Sequence, residues 1–203
     1  MSIKKVVRYG EPSLRQPSEE VHKVSQKIKN LVADLLDTMY AQNGVGLAAP
    51  QIGENYRVFV IDVSTGNEPL NPMVFINPKI IKKSGAVISH EGCLSFPEAF
   101  TDVRRYANVM VKALDRNGRS FVLEAKDGTL LARAIQHEFD HLDGILFIDH
   151  VINRFEAEEV LKKNNLPDLQ LDKILDEPEL AEQIEVLLKE KVEKEKTENV
   201  PKE

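Results

Sequence analysis

Residues 136–142 read Gln136-His137-Glu138-Phe139-Asp140-His141-Leu142, and the rest of the chain is read outward from them. They close a stretch, from about Thr129 to Leu142, whose apolar residues Leu130, Leu131, Ala132, Ala134, Ile135 and Phe139 fall all round a helix. Such a helix is expected to be buried. Asp127 or Thr129 could cap its start, and Gly144 is placed to stop it. His137 and His141 then project from one face, one turn apart, which suits two ligands of a single metal ion. Glu138 lies next to them and can reach the reacting water without being a ligand. The chemistry needs that division: a divalent cation lowers the pKa of its water to about 7, and the carboxylate takes the proton as water attacks a carbonyl. Leu130 and Ala134 share the histidine face, where two imidazoles and a carboxylate without a partner would be costly to bury.

Upstream, residues 25–41 read as a first long helix. Ile28, Leu31, Val32, Leu35, Leu36 and Met39 recur at helical spacing, and Ser25 is its N-cap. A glycine-punctuated loop follows, Asn43-Gly44-Val45-Gly46-Leu47-Ala48-Ala49-Pro50-Gln51-Ile52-Gly53. Strand-like segments are expected at 57–63, 73–81 and 103–114. Asp115-Arg116-Asn117-Gly118 turns the last of these into a partner strand at 120–125. Strands and helices do not alternate regularly, so the expected class is α+β, with a hairpin-rich sheet packed on helices.

Downstream, 153–163 reads as a short amphipathic helix broken by Asn164-Asn165-Leu166-Pro167. From Pro178, Leu180, Ile184, Leu187 and Leu188 form a helical stripe that dissolves into alternating Lys and Glu over 189–196. The expectation is a catalytic domain over 1–165 and a charged, partly disordered helical extension over 166–203. No candidate ligand, base or oxyanion donor follows Pro167.

Composition narrows the function. The chain has 203 residues, 42% hydrophobic and 30% charged, which fits one folded domain with a sizeable core. A net charge of −6 argues against gripping nucleic acid by bulk electrostatics, and no direct sequence-specific binding is expected. No apolar run is long enough to span a bilayer, and the N-terminus shows no signal-peptide pattern, so a cytoplasmic protein without membrane association is expected. Cys93 is the single cysteine, which rules out an internal disulfide and fits a reducing compartment.

A catalytic site of this type takes three protein ligands. The longer HExxHxxGxxH pattern fails, because Phe147 stands where its third histidine belongs. Glu156, Glu158 and Glu159 lie at a distance that suits peptidases completed by a downstream glutamate, although they also suit the polar face of an amphipathic helix. Cys93, within Glu91-Gly92-Cys93-Leu94-Ser95-Phe96-Pro97, is the other candidate, and its bland reading is a small buried hydrophobe.

Three segments together resemble the signature motifs of peptide deformylases, in the family's order and at similar spacing. They are Gly44-Val45-Gly46-Leu47-Ala48-Ala49-Pro50-Gln51, Glu91-Gly92-Cys93-Leu94-Ser95 and Gln136-His137-Glu138-Phe139-Asp140-His141-Leu142. The likeness covers roughly residues 3 to 150, as judged by motif placement. It implies antiparallel sheets packed around a central metal-binding helix, and hydrolytic removal of the formyl group from the N-terminal formylmethionine of new polypeptides. It further implies Cys93, His137 and His141 as metal ligands and Glu138 as acid/base. Gln51 and the backbone N–H of Leu94 would stabilise the oxyanion, and Gly46 would offer its backbone to the substrate. Val45, Leu130 and Ala134 are the candidates for the methionine pocket, by their nearness to the site. One divalent ion per chain is expected, Fe²⁺ by the resemblance, with Zn²⁺ or Ni²⁺ able to replace it. The partners implied are formylmethionyl nascent peptides and, transiently, the ribosome.

Overall fold

The computed structural model describes residues 2–64, 66 and 68–198, the last seven by backbone alone. Helix α1 spans Gln26–Ala41 and is followed by strands β1, Gly46–Ala48, and β2, Val58–Ile61. Strands β3, Met73–Cys93, β4, Phe96–Leu114, and β5, Ser120–Ala125, complete a five-stranded sheet in sequence order. Each neighbouring pair is antiparallel. Helix α2 covers Leu130–Leu142, α3 Arg154–Lys163 and α4 Pro178–Glu198. The α+β expectation holds.

The helices form for the reasons their periodicity suggests. Ile28, Leu31, Val32, Leu35 and Met39 of α1 are buried and pack against Leu47, Val58, Val60 and Ile76 of the sheet. Ser25 is at the N-cap position, but its side chain makes no capping bond. On α2 the cap is Thr129, whose Oγ1 accepts from the backbone N–H of Ala132 at 3.4 Å. Ala132, Ala134, Ile135 and Leu142 pack on Phe59, Phe75, Val109 and Val111. This helix is not buried all round, however: Leu130 is exposed and looks onto an open cavity. The turn of the β4–β5 hairpin is as expected, with Asp115 Oδ1 accepting from the N–H groups of Asn117 and Arg119, and Gly118 in the left-handed region at φ +78°.

Two strands run much further than expected. The segments anticipated at 73–81 and 103–114 are the outer parts of one long hairpin, β3–β4, closed by the tight turn Leu94-Ser95. Around the short apolar run Ala86-Val87-Ile88, residues 82–85 and 89–92 are polar or glycine with weak β preference of their own; pairing across the hairpin from Lys83↔Val109 to Gly92↔Phe100 makes them a strand. Strand β1 lies within the glycine-punctuated stretch expected as loop, for a similar reason. Its Gly46, Leu47 and Ala48 are ladder-paired to Ile61, Val60 and Phe59.

The chain after α3 is packed on the rest. Leu169, Leu180 and Ile184 are buried, Arg104 donates to the carbonyl of Leu175 at 2.6 Å, and the Leu175 N–H donates to the carbonyl of Asp149 at 2.9 Å. The helix continues through the Lys/Glu-rich stretch to Glu198. The expectation of partial disorder for 166–203 extends over 199–203, which lie outside the described residues. Among the described residues no helix is long and apolar enough to cross a membrane.

Candidate metal centre and active site

Three elements bring the expected ligands together. Helix α2 carries His137 and His141 on one face, with ring centroids 5.2 Å apart. Cys93 ends β3, and its position is set by the Leu94-Ser95 turn together with a register shift between Gly92 and Cys93. The donor atoms of Cys93, His137 and His141 all lie within 4.8 Å of one another, and Sγ of Cys93 is 3.3 Å from Nε2 of His141. Sulfur and nitrogen donors sharing a tetrahedral divalent ion, with bonds of about 2.3 and 2.0 Å, stand roughly 3.5 Å apart. A thiolate and two imidazoles converging in this way fit such an ion. Burial first, and then the neighbouring His137, holds the pKa of His141 well below the usual histidine range, so its ring is neutral, as a ligand must be. On His137 burial works the other way from Cys93 and Glu91, which win and draw a proton to that ring. A cation entering the site competes with that proton.

Behind His137 stands Glu91, whose Oε2 is 3.0 Å from Nδ1 of the ring. Burial would raise the pKa of Glu91, but Arg105 and His137 together outweigh it and hold the carboxylate well below its usual range. The fully buried Arg105 binds both Glu91 oxygens, at 3.0 and 2.8 Å, and also pairs with Asp140. Phe147, standing where another family would place a histidine, packs its ring 5.9 Å from that of His137.

Glu138 is 4% exposed, and its Oε2 is buried without a hydrogen-bond partner in the protein. Burial is the largest influence on its carboxyl, which is pushed up to about 7. A group poised there can accept and return a proton near neutral pH. Gly46 backs onto it: a β-carbon at this position would overlap the Glu138 carboxylate. Gln51 is held at both ends of its amide. Oε1 accepts from the Ala48 N–H at 2.8 Å, while Nε2 donates to Sγ of Cys93 at 3.2 Å and to Oγ of Ser95 at 3.3 Å. The short helical turn Ala49–Ile52 sets this geometry.

Of these groups, Gly46, Gln51, Glu91, Cys93, His137 and Glu138 line one cavity of about 720 Å³. Val45, Leu94, Leu130 and Ala134 line it with Gly46, Gln51, His137 and Glu138. Val45 and Leu130 are therefore cavity wall, not core. His141 lies below the wall and is buried. The glutamates of α3 do not belong to the site: Glu156, Glu158 and Glu159 are exposed, and no carboxylate joins the ligand cluster found among the described residues. That overturns the reading as a peptidase completed by a downstream glutamate.

The sequence reading missed Glu91, Arg105, Asp140 and Ser95, and also Arg133, which lines the cavity and donates to Ser89 at 2.8 Å. One signal was available. Arg105 occupies an inward position of β4, in phase with the buried Ala99, Thr101 and Val103, where an unpaired charge is not tolerated.

A helix carrying two histidines and a carboxylate, met by a cysteine from the tip of an antiparallel hairpin, defines a metal-dependent hydrolase of the α+β class. The family model of polypeptide deformylases matches residues 3–157. The peptide deformylase of Baumannia cicadellinicola is 47% identical over 163 residues, 80% of this chain and 95% of its own length. Peptide deformylase 1 of Clostridium perfringens is 47% identical over 150 residues, covering 74% and 99%. Among solved structures, a peptide deformylase from Synechococcus elongatus in complex with actinonin superposes with a TM-score of 0.76 at 40% identity, over 85% of this chain and 90% of that one. The enzyme from Thermotoga maritima gives 0.70 at 37% identity, over 75% and 100%. The chain belongs to the polypeptide deformylase family.

Proposed function

We propose that this protein is a peptide deformylase that hydrolyses the formamide of N-formylmethionyl nascent polypeptides, releasing formate and a free amino terminus. The observation that carries the reading is the meeting of the Cys93, His137 and His141 donor atoms within 4.8 Å of one another, beside a cavity that Glu138 also lines. In this reading those three side chains hold one divalent ion, which supplies an acidified water and polarises the formyl carbonyl. Glu138 takes the proton as the oxygen of water bonds to the formyl carbon. It returns the proton to the amine nitrogen as the C–N bond breaks.

Gln51 and the backbone N–H of Leu94 donate to the oxyanion that develops between these events. The bonds from Ala48 and to Ser95 hold the Gln51 amide in place, so it does not reorganise during reaction. Gly46 sits on β1, an edge strand of the sheet, whose outer backbone groups suit pairing with an extended peptide. Val45, Leu130 and Ala134 form the apolar wall for the methionine side chain. A formyl carbon bears only hydrogen, so a narrow approach to the three donors admits it and excludes larger acyl groups.

The native ion in this reading is Fe²⁺, replaceable by Zn²⁺ or Ni²⁺, since a thiolate and two imidazoles accept all three. The protein would act in the cytoplasm, in transient contact with the ribosome that delivers its substrate. Formate release from formyl-Met-Ala-Ser, with acetyl-Met-Ala-Ser as the control, tests the activity. Hydrolysis of the formyl peptide alone is expected. Equal hydrolysis of both, or of neither by a metal-loaded protein, would contradict it.

A further inference from the structure

From the cavity wall beside His137, a row of charged side chains crosses the core and ends beyond the segment shared with the family model. It begins with Glu91 against Nδ1 of His137 and passes through Arg105 to Asp140. The same Asp140 oxygen that faces Arg105 lies 2.9 Å from Nε2 of His150. Nδ1 of His150 in turn stands 3.5 Å from Oε2 of Glu177, an ion pair, not an aligned hydrogen bond. The other Glu177 oxygen is 3.5 Å from Nζ of Lys83 and 3.4 Å from the hydroxyl of Tyr106, and that lysine lies 4.2 Å above the tyrosine ring.

We infer that Glu177, at the foot of α4, is a positioning residue for the metal centre, acting through His150, Asp140, Arg105 and Glu91 on the ring of His137. The inference rests on His137 being a ligand. Both nitrogens of the buried His150 face carboxylates, so its ring has one orientation only while Glu177 is in place. Burial and Arg105 disfavour a charge on His150, and Asp140 and Glu177 prevail over them. When protonated, His150 gives Asp140 a second cation beside Arg105, and in either state its ring nitrogen faces the same Asp140 oxygen as Arg105 does. Loss of the Glu177 charge leaves His150 one partner, and Arg105 divides differently between Asp140 and Glu91. Glu91 orients His137 directly, and partners of that kind set ligand orientation and metal affinity.

The segment over 166–177 and the helix it starts are therefore part of the working site, where the sequence had assigned them no role. Glu177 is held for this purpose by its surroundings. The neighbouring Leu175 is fixed by Arg104 and by the backbone of Asp149, and Leu180 buries the first turn of α4.

Cobalt substitution tests this without relying on turnover. The Co²⁺-loaded protein would be compared with Glu177→Gln and Glu177→Asp by visible absorption and by the rate of cobalt release to a chelator. Val32→Ala, in α1 and remote from the row, serves as a control for lowered stability. Removing a direct partner of a ligand costs about 10- to 100-fold in metal affinity. For Glu177→Gln, further out, release about threefold to tenfold faster and altered cobalt bands are expected. Glu177→Asp, which keeps the charge, should fall between it and the parent, and Val32→Ala should leave bands and release unchanged. Parental bands and release in both Glu177 variants would overturn the inference, whatever their melting temperatures. Absence of a thiolate-to-cobalt charge-transfer band in the parent itself would instead overturn the ligand assignment, and this inference with it.

Discussion

Gly46 and Glu138 are fitted to each other: the space a side chain would take at position 46 is filled by the Glu138 carboxylate. The glycine is required here by close approach and not by backbone conformation, since its φ is not in the left-handed region. Strand β1 cannot retreat, because Gly46, Leu47 and Ala48 are locked in register with β2. Gly46→Ala should therefore displace the Glu138 side chain and leave the ligands in place. Metal content should stay at one ion per chain while kcat falls by up to about 100-fold, the cost of misplacing a reacting group by about 1 Å. Undiminished kcat in Gly46→Ala would show that the carboxylate has room to move without consequence.

Arg105 is the only cation among Glu91, Asp140 and the His137 ring that cannot lose its proton. Replacing it by methionine keeps the bulk and leaves Glu91 and Asp140 without the guanidinium they share. Breaking a buried pair in this way costs about 3–5 kcal/mol. Urea unfolding of Arg105→Met should show a loss of that order, together with weaker metal retention. A loss below about 1 kcal/mol would mean that water or relaxation compensates the carboxylates.

Asp62 anchors the loop after β2. It accepts from the Tyr40 hydroxyl at 2.7 Å, the Ser64 N–H at 2.9 Å and the Asn71 N–H at 3.1 Å. Burial raises its pKa, but the bonds from Ser64, Tyr40 and Asn71 outweigh burial and bring it below 3.8. A depressed carboxyl binds fewer protons folded than unfolded, so its stabilisation is present above the unfolded value and fades as pH falls through the folded one. The stability difference between the parent protein and Asp62→Asn, followed from roughly pH 6 down to pH 3, should shrink with acid. A difference that does not change over that range would remove Asp62 as the acid-sensitive anchor.

Cys93→Ala removes the donor supplied by the hairpin tip, and His137→Ala and His141→Ala remove those of α2. Each should lose or greatly weaken the single bound ion, as measured by metal analysis after dialysis. Full occupancy in Cys93→Ala would take the cysteine out of the site. The Leu94-Ser95 turn would then have no part in metal binding.

Much of this arrangement could be read from the chain, and the parts that could not have physical causes. Helix α2 and the β4–β5 hairpin announce themselves because the local signals, apolar periodicity and an Asp-x-Asn-Gly turn, agree with the tertiary environment. The inner half of the β3–β4 hairpin is hidden because residues such as Lys82, Lys83, Ser84 and Gly85 have little strand preference, and only their partners on β4 make them one. The link between Glu91 and Arg105 depends on the pairing register of that same hairpin, which no local pattern records. The stripe of Leu180 and Ile184 marks the helix face that is buried, but nothing at Glu177 marks it as facing His150 across the chain.

Glu138 decides between a site that merely holds a metal and one that performs hydrolysis. Its carboxylate borders the cavity, its Oε2 has no protein partner, and burial pushes its pKa to about 7. Glutamine at 138 keeps size and polarity but cannot accept a proton from water. The decisive measurement is single-turnover deformylation of formyl-Met-Ala-Ser by metal-loaded Glu138→Gln, with metal content and peptide binding determined on the same sample. One ion per chain, peptide binding retained, and a rate lower by at least the roughly 100- to 10,000-fold that acid–base catalysis contributes is the expected result. A metal-loaded Glu138→Gln protein that deformylates at a near-parental rate would contradict the proposed role of Glu138 and the mechanism built on it.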